Sequence, residues 1–311
     1  MLNIYKSMEN EIISLDKVEK GSWINLVNPT EDEITTISEN LKIPLEHLKA
    51  ALDEEERARI EVDEECTVVL IDIPVASKDT SKKGIYYTIP LGVIINNDNV
   101  VTVSLRENSV ITRFLENKVK SFHTSKKTRF LLQILYRSSR DYLQYLRNID
   151  KTSDVIESKL HKSLKNEELI QLLELEKSLV YFSTSLKGNE IVLEKIHKAN
   201  LIKMYPDDIE LLEDVIIENK QAIEMANIYS NILTGTMDAY ASVISNNLNM
   251  VMKFLTSITI IISIPTMVAS FFGMNVDVPF GNNPHAFLII FMISTWVSVV
   301  LSVVMLRKKL F

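Results

Sequence analysis

The C-terminal part of the chain contains two long runs of residues without a single charge. The first covers residues 254–276 and the second covers residues 286–306, which makes 23 and 21 residues. A helix of about 20 apolar residues is long enough to cross the hydrocarbon core of a bilayer. Pro279, Gly281 and Pro284 interrupt the pattern between the two runs. The pattern predicts a hairpin of two membrane-spanning helices, and the alternative is a pair of buried core helices.

The first 125 residues alternate between patterns typical of strands and of helices, which predicts a cytosolic α/β domain over residues 1–125. An Asn-Asn-Asp-Asn segment at residues 96–99 separates two strand candidates and predicts a hairpin turn. Thr30, followed by three acidic residues, has the pattern of a helix N-cap. The predicted strands are Trp23–Val27 and residues 67–73, 85–95 and 100–105.

Apolar positions at helical spacing dominate the chain from residue 126 onward. A break near Lys165, with Asn166 as the N-cap of the next helix, predicts a helical hairpin over residues 126–205. Pro206 predicts the start of a third helix, which we call the stalk and which continues into the first span over residues 206–272. The remaining predicted segments are an external loop at 273–285, a second span at 286–306 and a basic cytosolic tail at 307–311.

A polar stripe runs along the predicted stalk with the spacing of a coiled-coil heptad. Steps of four and three residues from Asn231 reach twelve positions, and eleven of them are polar or glycine. A 3.5-residue repeat keeps one face of a helix toward a common axis in a left-handed supercoil. We call these positions the polar seam: Asn231, Gly235, Asp238, Ser242, Ser245, Asn249, Met252, Thr256, Thr259, Ser263, Thr266 and Ser270.

Two interpretations of the polar seam stay open from the residues alone. Small and hydroxyl-bearing residues allow membrane helices to pack closely and to hydrogen-bond with one another. Alternatively, the seam lines a water-filled path, and because one helix per chain cannot enclose a path, this interpretation requires a homo-oligomer with cyclic symmetry. Met252, the one bulky apolar member, either forms a ring that gates such a path by dewetting or simply packs.

Charge divides the chain at the start of the first span. The residues before Lys253 carry 30 basic and 40 acidic side chains, whereas those from Lys253 onward carry four basic and one acidic, so net charges of −10 and +3 give −7. Basic residues at the span ends predict that both termini are cytoplasmic. The predicted location of the protein is the plasma or inner cell membrane. The acidic body excludes nucleic acid as a predicted partner. A single cysteine, Cys66, excludes a disulfide scaffold and a cluster of cysteine metal ligands.

The tripeptide Gly273-Met274-Asn275, at the end of the first predicted span, resembles the signature of the CorA family of divalent-cation transporters. The resemblance extends over most of the chain, through residues 23–30, 51–61, 237–240 and 249–253. It implies a funnel-shaped homopentamer, in which an α/β cytosolic domain is followed by a long-helix stalk and two C-terminal transmembrane helices.

The resemblance also implies roles for individual residues. Asn275 is implied to be the outer selectivity residue of a filter, in a loop held by Gly273 and Met274. Asp214 is implied to bind regulatory Mg²⁺ between subunits. The matches to the hydrophobic gate are Met252 and Leu255, and the pore-lining positions from the match and the polar seam together are Asp238, Asn249, Thr256, Thr259, Ser263, Thr266 and Ser270.

The chain departs from the family pattern at three places. Phe272 stands where a tyrosine commonly precedes the signature, so any role of that hydroxyl is lost. The outer loop carries one acid, Asp277, which weakens the expected attraction of cations to the entrance. Pro265 lies one residue nearer to Gly273 than in some relatives.

The function predicted from these observations is channel-like influx of hydrated Mg²⁺, driven by the membrane potential and gated by intracellular Mg²⁺, with Co²⁺ and Ni²⁺ as further candidate ions. Mg²⁺ is then both the substrate and the regulatory ligand. The absence of a Walker-type loop predicts that no organic cofactor is needed. The predicted partners are further copies of the chain, the lipid bilayer and divalent metal ions.

Three alternatives to magnesium transport stay open. The first is a Zn²⁺ transporter of the ZntB-like branch, although no histidine or cysteine falls on the polar seam. The second is a non-conducting, membrane-anchored coiled-coil scaffold, which would need an apolar seam. The third is an enzyme, but the sequence shows no nucleophile–base pair or metal-ligand cluster at an informative spacing, so no enzymatic activity is predicted. The histidines expected at the surface are His47, His123, His161, His197 and His285.

Overall fold

The structure is a computed structural model that describes residues 1–8, 11–77, 84–160, 166–199, 202–275, 279 and 284–308. The chain divides into two compact units, Met1–Gly235 and Thr236–Phe311. The sequence predictions that lie outside the described residues are the helix break near Lys165, the position of His161, most of the outer loop with its acid Asp277, and the basic tail beyond residue 308.

Seven strands of the first unit form one mixed sheet. They are β1 (Leu2–Met8), β2 (Glu11–Leu15), β3 (Trp23–Val27), β4 (Arg59–Val62), β5 (Cys66–Ala76), β6 (Tyr86–Asn96) and β7 (Val100–Ser104). The order across the sheet is β2-β1-β3-β7-β6-β5-β4. Strands β3 and β7 pair in parallel, and the other neighbouring pairs are antiparallel. The four predicted strands are confirmed as β3, β5, β6 and β7, whereas β1, β2 and β4 are missing from the sequence prediction.

The described residues form helices α1 (Glu31–Leu41), α2 (Leu45–Ala50), α3 (Ser109–Leu115), α4 (Lys127–Leu160), α5 (Asn166–Ala199), α6 (Pro206–Phe272) and α7 (Ala286–Arg307). Thr30 caps α1 as predicted. Its Oγ1 accepts a hydrogen bond from the Glu33 amide at 3.3 Å, and Glu33 Oε2 accepts one from the Thr30 amide at 2.9 Å. This reciprocal pair is a capping box, which satisfies amides that the helix itself leaves free. The long helix predicted from Pro206 is confirmed as α6, with 67 residues.

Helices cover both faces of the sheet, so the first unit has three layers. Along β5, Val69 packs into the core shared with α3, α4, α5 and the start of α6, whereas Val68 packs into the core shared with α1 and α2. The alternation arises because successive side chains of a strand point to opposite faces. A Cβ atom at Gly92 of β6 would lie 2.9 Å from the Cβ atom of Ala51, so this close approach of α2 to the sheet requires glycine.

Trp23 has a structural role in the segment 23–30 that resembles the CorA family. Its side chain is fully buried, and its Nε1 donates a hydrogen bond to Thr102 Oγ1 at 2.7 Å. A buried tryptophan commonly finds such a partner for its one polar atom. The aromatic rings that pack edge-on against it are Phe114, Phe122 and Phe130. This segment therefore stabilises the sheet and the helical layer.

Within the first unit, α6 packs along α5. Leu212 and Val215 are buried in the core that α3, α4 and α5 share with the sheet. Asn219 Nδ2 donates a hydrogen bond to the Leu186 carbonyl of α5 at 3.1 Å. The stalk is thus tied to the helical hairpin by both apolar and polar contacts.

The expectation of a surface position is wrong for His47. Its side chain is only 8% exposed, because α2 places it against the turn between β4 and β5. There, His47 Nε2 lies 2.6 Å from Asp63 Oδ2. Of the other described histidines, His123 is half-buried and His197 and His285 are exposed.

Candidate functional site

Among the described residues, two helices are long and apolar enough to cross a membrane, Pro206–Phe272 through its C-terminal part and Phe287–Arg307. In the most apolar windows of these helices, 6% and 11% of the residues are buried. A pair of core helices in a soluble protein would be mostly covered, so that alternative does not fit. Side chains such as Phe287 and Trp296, which are 78% and 67% exposed, need lipid or another protein around them.

All twelve positions of the polar seam are exposed on the single chain. Exposure alone does not mark the seam, because Ile260, Ile262 and Met267 of the same span are exposed as well. The distinction is chemical, since every exposed hydroxyl of residues 254–272 belongs to the seam. These hydroxyls are Thr256, Thr259, Ser263, Thr266 and Ser270.

Seam hydroxyls donate their hydrogen atoms to the backbone of their own helix. Thr259 Oγ1 donates to the Leu255 carbonyl at 2.9 Å, and Thr266 Oγ1 donates to the Ile262 carbonyl at 3.1 Å. Ser263 and Ser270 make similar bonds at 2.8 Å. A hydroxyl whose donor is used in this way still has free lone pairs. The exposed side of the seam can therefore accept hydrogen bonds, for example from water.

The covered positions of the first span lie on the opposite side of α6. Ser257 is buried and Ile261, Ile264 and Val268 are half-buried. At 100° per residue, this stripe lies roughly 150° around the helix from the seam hydroxyls. On α7, Ser294 and Ser298 are also buried. Small residues allow membrane helices to approach closely, and the buried serines at 257, 294 and 298 are typical of such a helix–helix contact.

The predicted gate lies on an uncovered part of α6. Met252 is 53% exposed and Leu255 is 57% exposed. Met252, Asn249 and Thr256 border an open groove of about 530 Å³, whose lining also includes Met305 of α7. The structure thus brings three predicted residues to one groove and leaves both apolar gate side chains available to a further chain.

The Gly-Met-Asn signature follows directly on the end of α6. The Gly273 amide donates to the Ala269 carbonyl at 3.0 Å, which closes the last turn of the helix. Met274 and Asn275 are exposed, and Asn275 lies three residues beyond the end of α6, within the predicted outer loop. A Cβ atom at Gly273 would meet its nearest neighbour, the Ala269 carbonyl oxygen, at an ordinary 3.4 Å. No neighbour among the described residues therefore requires a glycine at that position.

The acids near the start of α6 differ in their surroundings. Asp208 is buried, and its Oδ2 accepts a hydrogen bond from the Tyr205 amide at 3.1 Å, so it caps the helix start. Glu218 lies 3.5 Å from Arg140. Asp214 and Asp238 are exposed, and neither has an ion-pair partner within the part of the chain that the structure describes. Of these acids, Asp214 therefore offers a free carboxylate at the surface of the first unit.

Comparison with known proteins decides what kind of molecule carries these features. A family model described as CorA-like Mg²⁺ transporter protein matches residues 18–308. The chain belongs to this CorA-like family. Its members are transporters embedded in membranes, which agrees with the two candidate spans.

The CorA-like chain is 30% identical over 273 residues to the cobalt/magnesium transport protein CorA of Methanocaldococcus jannaschii, which covers 86% of this chain and 84% of that protein. The complete structure of the CorA magnesium transporter from the same organism superposes with a TM-score of 0.85 at 26% identity, over 99% of this chain and 98% of the other. The agreement confirms a mixed α/β domain, long helices and two candidate transmembrane helices at the C-terminal end.

A more distant structural match is to a protein of the ZntB-like branch. The ZntB cytoplasmic domain from Vibrio parahaemolyticus superposes with a TM-score of 0.59 at 11% identity, over 79% of this chain and 96% of that domain. A likeness at this level shows a shared fold and carries no information on the ion.

Two groups of polar residues in the structure are missing from the sequence prediction. The serines of α7, at 294 and 298, could have been found from their four-residue spacing. The group of His47, Asp63 and Cys66 could not, because its members come from a helix and from a hairpin turn that only the fold brings together.

Proposed function

We propose that this CorA-like chain assembles into a cyclic homopentamer that conducts hydrated Mg²⁺ into the cell. The observation that carries the proposal is the polar seam, a continuous line of exposed hydroxyl and amide groups on a helix of membrane-spanning length. Five copies with their seams turned to the axis would enclose a wet path with an apolar outer surface. Pentameric assembly rests on the resemblance to the family.

The outer filter is formed by Asn275. A ring of side-chain amide oxygens can accept hydrogen bonds from the water molecules around Mg²⁺, which releases its inner waters reluctantly. Because the amides are neutral, they hold the ion weakly enough for it to leave, as conduction requires. The exposed position of Asn275 just beyond the end of α6 supports this role.

Below the filter, the seam hydroxyls take over the contact with the hydrated ion. Water molecules bound to a cation point their hydrogen atoms outward, and the lone pairs of Thr266, Ser263 and Thr259 are free to accept them. No acidic residue lies between Lys253 and the outer loop. A divalent ion therefore meets no carboxylate that would trap it in this region of low dielectric constant.

The membrane potential supplies the driving force. Moving two positive charges across the membrane is favourable by about 4–5 kcal/mol per 100 mV. With both termini in the cytoplasm, the Gly-Met-Asn end of α6 faces outward and influx needs no nucleotide. Met252 and Leu255 close the path near the cytoplasmic face, where rings of apolar side chains exclude water.

Intracellular Mg²⁺ regulates the gate through Asp214. Mg²⁺ prefers oxygen ligands and commonly uses one or two carboxylates while it keeps several waters. The exposed, unpaired carboxylate of Asp214 fits such a role at a contact between subunits. Bound Mg²⁺ would offset the repulsion between neighbouring acidic domains and favour the closed arrangement, provided it binds that arrangement more tightly.

The proposal is tested by ion uptake into proteoliposomes that contain the full-length chain. We expect Asn275→Ala to lower Mg²⁺ uptake strongly, because the ring of acceptors at the entrance is lost. Asn247→Ala is the matched control, since Asn247 is a half-buried asparagine of α6 on the side away from the polar seam. Uptake that Asn275→Ala leaves unchanged would remove the filter assignment, and a wild-type preference for Zn²⁺ would replace magnesium by the zinc alternative.

The same vesicles test regulation when Mg²⁺ is loaded on the cytoplasmic side. Inhibition of uptake by this Mg²⁺ should be weaker in Asp214→Asn than in the wild type. Glu213→Gln, at the neighbouring exposed acid, should behave as the wild type does. Equal sensitivity in all three proteins would show that Asp214 does not bind the regulatory ion.

A further inference from the structure

Three side chains with metal-binding atoms meet at the edge of the sheet in the first unit. His47 belongs to α2, Asp63 lies in the turn between β4 and β5, and Cys66 is the first residue of β5. The turn is closed by a hydrogen bond from the Asp63 amide to the Cys66 carbonyl at 2.9 Å. Elements separated in the sequence thus fix the positions of all three residues.

The geometry of this group is compact. One ligand atom from each residue, a ring nitrogen, a carboxylate oxygen and the sulfur, lies within 4.8 Å of the other two. His47 and Cys66 are buried, whereas the Asp63 side chain is 50% exposed. Burial, together with the nearby carboxylates of Asp63 and Glu65, raises the pKa of the Cys66 thiol. The thiol is therefore protonated in the absence of a metal ion.

The ring of His47 lies between two carboxylate side chains. Its Nε2 faces Asp63 at 2.6 Å, and its Nδ1 lies 3.8 Å from Glu61 Oε2 on the other side of the ring. Arg59 Nε in turn donates to Glu61 Oε1 at 2.7 Å. The separation of Nδ1 from Glu61 is longer than a hydrogen bond, so Glu61 would have to move closer to Nδ1 to hold the ring as carboxylates commonly do in metal sites.

The distances are close to those of a zinc-type site. Ligand atoms bound at about 2.0–2.3 Å from one tetrahedral ion lie roughly 3.3–3.8 Å apart. The contact between His47 and Asp63 must lengthen by about 1 Å to reach this geometry, and the exposed Asp63 carboxylate can rotate to allow it. A cavity of about 850 Å³ borders both Asp63 and Cys66 and gives an ion a route from solvent.

We propose that His47, Asp63 and Cys66 bind one transition-metal dication of the Zn²⁺ or Co²⁺ class, with water as the fourth ligand. A nitrogen, an oxygen and a sulfur ligand favour such borderline ions over Mg²⁺, which prefers oxygen alone. On binding, the Cys66 S–H bond breaks, its proton passes to solvent, and the thiolate forms the metal–sulfur bond. The same cavity is lined by Asp207 and Asp208 at the start of α6, so the metal would lie beside the base of the stalk.

Cobalt spectroscopy tests this site on the purified, metal-free, full-length protein. Because Cys66 is the only cysteine of the chain, a thiolate-to-cobalt charge-transfer band reports Co²⁺ at Cys66 alone. We expect the band to saturate at one Co²⁺ per chain and to be abolished in Cys66→Ser. Stoichiometric Zn²⁺ should abolish it, whereas a large excess of Mg²⁺ should not. The transport pathway has no thiol, so its occupancy does not contribute to this signal.

Variants of the other two ligands separate a metal site from a reactive thiol. His47→Gln and Asp63→Asn should each weaken Co²⁺ binding at least tenfold, with folding checked by circular dichroism. Asp63→Asn, in an exposed turn, serves where His47→Gln does not fold. Glu64→Gln, in the same turn, is the matched control and should keep the wild-type band. The proposal would be overturned if the folded wild type lacked the band, or if both variants left the band unchanged. The group would then be a structural hydrogen-bonded pair of His47 and Asp63 beside a buried thiol.

Discussion

Asp72 is a partly buried acid of the first unit whose carboxyl group has a raised pKa. It lies on β5, and its backbone amide and carbonyl bond to the Asn189 side chain of α5 at 2.9 and 2.8 Å. The hydroxyl of Tyr142 from α4 also donates to its carbonyl, at 3.1 Å. Burial raises the pKa of the Asp72 carboxyl from 3.8 to about 6, although a hydrogen bond from Ser185 partly offsets this rise. The sheet is thus joined to α4 and α5 around an acid whose pKa is raised.

The raised pKa of Asp72 predicts a pH-dependent stability. Below pH 3.8 the group is protonated in both states and has no effect. As the pH rises toward 6, the unfolded chain ionises while the folded one holds its proton, so stability falls, by up to about 3 kcal/mol, and stays lower above pH 6. Asp72→Asn removes this titration. The unfolding temperature of the variant should exceed that of the wild type at pH 7, and the two should converge near pH 4.

A control at an exposed acid isolates this effect. Glu39 is exposed on α1. Glu39→Gln should shift the unfolding temperature by a similar small amount at every pH. If the difference between Asp72→Asn and the wild type were the same at pH 4 and pH 7, the titration of Asp72 would not control stability. Full-length protein in detergent is suitable, since each comparison is between variants in one condition.

At the scale of single elements, α6 in the membrane has two chemically different sides. The hydroxyls of the polar seam face outward from the chain, and the covered stripe with Ser257 and Ile261 lies on the other side. If the hydroxyls served to hold neighbouring helices together, they would lie on the covered stripe, where helices touch. The seam hydroxyls are instead exposed on the single chain, which favours contact with water or with further copies of the chain.

A hydroxyl deletion on each helix tests the role of the seam. Thr259→Val keeps the shape of the side chain and removes one hydrogen-bond acceptor per subunit from the path. An increase of about 1 kcal/mol in the barrier to conduction corresponds to roughly fivefold slower Mg²⁺ uptake. Thr295→Val on α7 is the matched control, because Thr295 Oγ1 also donates to the carbonyl four residues earlier, at 2.8 Å. Equal uptake by the two variants would contradict a conducting role of the seam.

The elements also show what the sequence can and cannot predict. Strands β5 and β6 are recognisable because they are buried on both faces and consist of near-continuous apolar runs. Strands β1, β2 and β4 lie at or near the sheet edges, where half-exposed positions weaken the pattern. The cap at Thr30 and the polar seam depend on local spacing and could be predicted. The contact of His47 with Asp63 depends on tertiary packing and could not.

At the scale of the whole molecule, the surface of the single chain is incomplete. In the first unit, α6 exposes Ile217, Ile228 and Ile232, each by more than half of its side chain. Exposed apolar groups along one helix mark a surface for further protein. Together with exposed gate residues in the second unit, they support assembly with other copies of the chain, and the family resemblance sets the expected number at five.

The assembly predicts which side chains meet water within the membrane. In a Cys66→Ser background, we expect Ser263→Cys to react with a small, positively charged thiol reagent, because thiols react as thiolates and thiolates form in water. The attached charge should block Mg²⁺ uptake. Ile262→Cys is the control: Ile262 is 62% exposed on the single chain but lies about 100° around α6 from Ser263. The thiol of Ile262→Cys should react slowly and leave uptake intact. The assembled protein should have a mass of five times 35.6 kDa. If the Ser263→Cys protein assembles but does not react, the seam does not face water and the proposed conduction path is wrong.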